Sequence, residues 1–119
     1  MRYLITVNHE GPIDEGIFPE QLYADMGAFV EKLAADGILV DAAGLERLDK
    51  ATRVSLNDGD VKVVDGPFSE AKEWIGGYFI LQVRSHAEAV EYARQSIELH
   101  RKHVPNLSVS HEVRRIEED

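Results

Sequence analysis

The residues best suited to acid–base or anion-binding chemistry gather in one run, VVDGPFSEAKEWIGGYFIL, from Val63 to Leu81. It holds Asp65, Ser69, Glu70, Lys72 and Glu73 within a tight turn and the strand that follows. Two readings of Asp65 stand side by side. As a general base or orienting carboxylate at the rim of a cavity, it needs a pKa tuned by partial burial. As an Asx-type turn residue before Gly-Pro, it accepts a backbone N–H two residues on. Lys72, set between acids, either holds the carboxylate or phosphate of an anionic ligand or joins a solvated ion-pair cluster contributing about 0–1 kcal/mol. Ser69 can cap a short helical turn carrying Glu70 to Trp74. As a nucleophile it would need an adjacent base, and no histidine is near in sequence. Tyr78 depends on its neighbour: if Phe79 is buried under helices, strand alternation turns Tyr78 to the opposite sheet face and into any cavity there.

The histidines are His9, His86, His100, His103 and His111. His9 ends the first strand, and a last strand antiparallel to the first would bring His111 nearby. His9 is therefore the histidine assigned to proton transfer, with Asp65 as its catalytic companion. His100 and His103 stand three apart on a helix, a spacing that suits two metal ligands. No carboxylate joins them at a helical step, and histidine at a helix end also complements the dipole, so no metal site is expected. Ser69, Lys72 and Tyr78 make up the candidate ligand-binding set.

A chain of 119 residues fits one domain able to bury a core without staples. Apolar residues at 44% and charged residues at 29% give an ordinary globular balance. The net charge of −9 argues against nucleic acid, whose phosphates need a basic face, and against an anionic membrane surface. Cysteine is absent, which excludes disulfides and thiolate metal sites. MRYLITVNHEG reads as a strand rather than a signal peptide or a span, so a cytoplasmic protein is expected.

The elements that must position these residues follow from patterning. RYLITVN alternates as a first strand. Pro19 opens a helix whose apolar stripe is Leu22, Met26, Phe29, Val30 and Leu33, ending at Gly37. ILVDAAGL is a second strand, and TRVSLNDGDVKVV is a hairpin turning at Asp58-Gly59. A strand from about Ile75 to Val83 contains Gly76-Gly77, which signals a bulge or a close backbone approach. Ser85 and Glu88 form an S-x-x-E capping box for a helix burying Ala89, Val90, Ala93 and Ile97. LSVSHEVRRIE is the final strand. The order is β-α-β-hairpin-β-α-β, which predicts an α+β sandwich of ferredoxin-like βαββαβ type with an extra β-hairpin. Both helices would cover one sheet face. The other face, with Tyr78, Ile80 and Tyr3 or Leu4, would stay bare in a monomer, which predicts a homodimer packed through the sheet.

DGDVKVVDGPFSEAKEWIGGYFILQV resembles the DGPF branch of the YCII-related (YciI-like) family. The resemblance is carried by Asp65-Gly66-Pro67-Phe68, the following Glu70, Lys72 and Glu73, and Gly76-Gly77 before an aromatic strand. GILVDAAGL ahead of the hairpin also fits. The resemblance implies a dimeric α/β-barrel of ferredoxin-like subunits and a biochemical role that is mostly unassigned. Some relatives look like enzymes with a histidine–aspartate pair, one of them dehydrochlorinating a chlorinated aromatic. DGPF-type relatives often accompany extracytoplasmic-function sigma factors, which implies a protein partner in transcription regulation. The enzyme-like pattern places a histidine on the first helix about eleven residues before its closing glycine; counting back from Gly37 reaches Met26, which cannot act as a base.

Three readings result. The first is a small-molecule-binding or regulatory module whose partners are a second copy, a small organic ligand or a transcription protein. The second is a cofactor-free acid–base enzyme, lyase- or isomerase-like, acting on a small cyclic or aromatic compound. In it Asp65 is the base, His9 the acid and Lys72 the anion holder. The third is a structural subunit whose sheet interface is packed solid.

Overall fold

The computed structural model describes residues 1–11, 17–68 and 73–118. Ser69, Glu70 and Lys72 lie outside the described residues. The chain runs β1 (Arg2–Glu10), α1 (Glu20–Ala35), β2 (Leu39–Gly44), a 3-10 turn (Leu48–Lys50), β3 (Thr52–Asn57), β4 (Asp60–Asp65), β5 (Glu73–Gln82), α2 (His86–His103) and β6 (Val109–Arg115). β2, β5, β1 and β6 form an antiparallel sheet in that spatial order, while β3 and β4 form a separate two-stranded sheet. The two central strands are far apart in sequence and each helix links a central strand to an edge strand. This α+β arrangement is compatible with a ferredoxin-like fold with a hairpin inserted after β2.

Local chemistry accounts for the boundaries. Pro19 stands at the N-cap of α1 with φ −68°, one position ahead of the first helical residue, and its carbonyl accepts the Leu22 N–H at 3.0 Å. The α1 stripe faces the sheet: Leu22 and Leu33 are buried, and Met26, Phe29 and Val30 pack against the core. Ser85 caps α2 by accepting the Glu88 N–H, while the Glu88 carboxylate takes the Arg84 N–H in place of the usual Ser85 one. α2 meets the sheet through small residues, Ala89, Ala93 and Ser96, which let helix and sheet approach closely. Val90 is 43% exposed, contrary to the sequence reading. It follows Ala89 by one residue, a rotation of about 100° that carries it off the buried line.

The core is the interleaving of Tyr3 and Ile5 of β1 with Phe79 and Leu81 of β5 under Leu33, Ala89 and Ala93. Each large apolar side chain buried there contributes roughly 1.5–3 kcal/mol. Odd-numbered β1 residues through Val7 face the helices, so Leu4 and not Tyr3 stands on the open face, opposite Ile80. The β5 strand begins at Glu73, so Glu73 and Trp74 are extended and not part of a helical turn.

The β3–β4 hairpin turns at Asp58 and Gly59 with φ of 54° and 86°, both left-handed, as a two-residue turn needs. Val54 pairs with Val63 and Leu56 with Val61, which sets four apolar side chains on one face of the arm. Each of the four is at least 67% exposed. Among the described residues, the arm's only extensive packing is between its own strands.

Candidate functional site

Between α1 and the sheet lies a cleft of about 430 Å³. The floor comes from Val7 of β1, Ala42 to Gly44 of β2 and Gly76 to Phe79 of β5. Phe18, Leu22, Tyr23, Met26 and Val30 wall one side, and His100 of α2 closes one end. Gly27 of α1 also lines the cleft, and nothing lies within 4 Å of where its Cβ would stand, so a missing side chain helps keep the space open. At the floor, a register shift opposite Val7 and Asn8 makes Gly76 the extra residue of β5. A Cβ on Gly77 would approach the Ala43 carbonyl oxygen to 2.9 Å, so main chain alone fits there. The Gly-Gly pair thus serves both purposes that the sequence signalled, a bulge and a close approach.

A half-buried polar cluster, with Ser96 buried at its centre, sits where α1, α2 and β6 meet beside this cleft. The His111 ring spans two partners: Nδ1 donates to the Thr6 carbonyl at 3.0 Å, and Nε2 lies 2.7 Å from Ser96 Oγ. Burial pushes the His111 pKa down to about 4, outweighing the Thr6 hydrogen bond, with a smaller contribution from nearby His100. His111 is thus neutral near pH 7, and its Nε2 accepts the Ser96 hydroxyl proton. Met26 Sδ packs 3.7 Å from the same Ser96 oxygen. The Ser96 carbonyl accepts His100 Nδ1–H at 2.8 Å, and the two histidine rings meet edge to face at 6.0 Å. A serine paired with a neutral histidine resembles a nucleophile with its base. Ser96 is only 1% exposed and does not line the cleft, so it holds the two histidines in place instead of meeting a substrate. One turn further on, His103 Nε2 donates to Asp25 Oδ2 at 2.6 Å, tying α2 to α1. That bond, with help from Gln21, holds the Asp25 carboxyl below the usual carboxylate range.

The residues chosen from sequence are dispersed. Asp65 ends β4, exposed, and accepts the Thr52 hydroxyl at 2.9 Å across the base of the hairpin. Beside it the Gly66 N–H donates to the Ala51 carbonyl, and a Cβ on Gly66 would come within 2.6 Å of the Leu48 carbonyl oxygen. Phe68 is buried, with the Arg53 guanidinium 4.0 Å over its ring. Among the described contacts, Asp65 to Phe68 clamp the hairpin to the 3-10 turn. His9 donates from Nδ1 to the Gly11 carbonyl at 3.2 Å, and its ring lies 6.2 Å from that of Trp74, over Gly76. His111 does come from the strand beside β1, but it stands opposite Val7 with its ring turned to Thr6 and Ser96, while His9 stands opposite Val109. The described contacts of Asp65, His9 and His111 do not bring them to one point. Tyr78 is a neighbour of buried Phe79 and turns to the open face, where its hydroxyl donates to Asp41 Oδ2 at 2.9 Å. That bond raises the Tyr78 pKa. Ser69 and Lys72 lie outside the described residues.

His100, Ser96 and His111 were not among the site residues chosen from sequence. A signal existed for two of them: Ala89, Ala93, Ser96 and His100 follow one another at steps of four, three and four, which places the serine and histidine on the buried stripe of α2. Nothing local marks His111 as their partner, because it arrives from another element.

Residues 1–101 match the YCII-related domain. The chain belongs to the YCII-related family. An uncharacterized protein of Rhizobium meliloti (strain 1021) is 32% identical over 75 residues, which covers 63% of this chain and 60% of that relative. The chain therefore spans about three fifths of the length of the curated relative it matches. Within this YCII-related chain, no helix among the described residues is long and apolar enough to cross a membrane, and no cluster of three or more histidine, aspartate or glutamate side chains has metal-binding geometry.

Proposed function

We propose that this YCII-related protein is a small-molecule-binding module that takes a flat, largely apolar molecule into the cleft between α1 and the sheet. The observation that carries this reading is the cleft itself. At about 430 Å³ it falls in the size range of small-molecule sites, and its walls are mostly apolar. Its aromatic edges, Phe18, Tyr23 and Phe79, suit a ring system. An enzyme working through Asp65 and His9 has less support, because their described contacts belong to different sheets.

The test is mapping by amide NMR with naphthalene-sized aromatic compounds. Perturbed amides should cluster at Val7, Met26, Ala42 and Gly77. Ala42 stands opposite Phe79 in register and so faces the helices; Ala42→Trp should fill the cleft and abolish the perturbations. Perturbations confined to the hairpin or the open sheet face would overturn the reading.

The working unit in this reading is a homodimer through the open sheet face. Leu4, Tyr78 and Ile80 supply apolar area there, and the projecting arm supplies Val54, Leu56, Val61 and Val63. A lone two-stranded hairpin is marginal in water. A second copy would both cover the arm and offer a matching arm in return, as a two-fold interface requires.

A further inference from the structure

The cleft is mostly apolar, and a single imidazole lines it, held at a fixed angle by groups that do not themselves line the cleft. His100 donates from Nδ1 to the Ser96 carbonyl at 2.8 Å, and its ring leans edge to face on His111. Ser96 is itself fixed by its hydroxyl bond to His111, which in turn is fixed by the Thr6 carbonyl. His100 Nδ1 is therefore committed, and Nε2 is the ring nitrogen that no described hydrogen bond engages. Of the other lining residues with polar side chains, Tyr78 spends its hydroxyl on Asp41 at the opposite face, and Tyr23 is 64% exposed at the cleft mouth.

We infer that His100 is the recognition group of this cleft and that the ligand is an aromatic molecule carrying one acidic O–H, a carboxylic acid or phenol, presented to His100 Nε2. This rests on the reading of the cleft as a ligand site. One proton is shared between the ligand oxygen and Nε2, and whichever partner carries it, a single charge-assisted or neutral hydrogen bond forms; no covalent step is involved. An imidazole held by three relayed hydrogen bonds needs little reorganisation on binding, which favours selectivity for that one group over tight binding of apolar compounds at large. Met26 then acts as shape: it packs on Ser96 and lines the wall without offering a proton.

The test compares 2-naphthoic acid with its methyl ester by titration calorimetry. They share the ring system, and only the acid carries the acidic proton. The acid should bind the wild-type protein at least about tenfold more tightly than the ester, the difference expected for one hydrogen bond with a charged partner. His100→Asn keeps an N–H where Nδ1 stood and removes Nε2. It should lower affinity for the acid about tenfold and leave the ester unchanged. The His100 Nε2 nitrogen resonance of the wild-type protein should move with the acid and not with the ester, a readout that needs no variant. Equal binding of acid and ester with no movement of that resonance overturns the role of His100 while leaving the cleft as a site. Failure of both compounds to bind overturns the cleft reading and this inference with it.

Discussion

At the scale of single residues, the environment of His111 departs far from that of the unfolded chain. It titrates near 6.5 when unfolded and at about 4 when folded. Between those values the unfolded chain binds more protons. The stability contributed by neutral His111 is therefore complete above about pH 6.5 and declines as pH falls toward 4. The loss by the acid end is on the order of 2–3 kcal/mol. Urea midpoints measured from pH 7 to 4.5 should fall for the wild-type protein, and His111→Gln should flatten the slope over that window. His100 faces His111 from α2 and adds repulsion when both are charged, so the decline should not be gentler than a lone buried histidine gives. A wild-type and variant pair with parallel slopes would show that His111 is not desolvated. The same residue explains why the sequence offered so little of the site. A histidine on a predicted strand has no visible partner until the topology places β6 beside β1 and α2 above both.

At the scale of elements, the turns, the caps, the bulge and both helices were legible because each is written in neighbouring residues. Asp58-Gly59, Ser85 with Glu88, and Gly76-Gly77 are local signals, and the structure uses each as its chemistry requires. What the pattern could not supply was the destination of a face. Val54, Leu56, Val61 and Val63 alternate as a half-buried hairpin should, yet among the described residues nothing covers them. Nor could spacing tell that the run from Asp65 to Phe68 braces an arm. The position that a Cβ on Gly66 would take, against the Leu48 carbonyl oxygen, predicts the cost of disturbing the run. At 2.6 Å there is no room for a methyl group against backbone, so Gly66→Ala should destabilise the protein by about 1–3 kcal/mol. Amide hydrogen exchange should show the loss first in β3 and β4, ahead of the four-stranded sheet. Uniform loss across both sheets would mean that the arm and the body unfold as one unit.

At the scale of the whole molecule, the chain is thin and wide, with extents of 46 × 41 × 19 Å. Its radius of gyration is 16.0 Å, against about 13–14 Å for a compact domain of this length. The excess lies with a projecting arm and a sheet covered on one side. Sedimentation should return twice the 13.4 kDa chain mass at micromolar concentration. Leu56→Glu together with Ile80→Arg should shift it to a single chain, and a wild-type protein that sediments as one chain would remove the dimer reading. The cleft lies under α1, on the side of the sheet away from the proposed interface, so under the proposed reading the monomeric variant should still take up ligand. The composition of the cleft floor carries one more implication. Where Gly44, Gly76 and Gly77 line it, peptide groups stand in place of side chains, so the strands there can lend little variety of shape. Under the proposed reading, retargeting this scaffold to another molecule would fall to Tyr23, Met26 and Val30 of one helix, while buried Leu22 stays in place to hold that helix on the sheet.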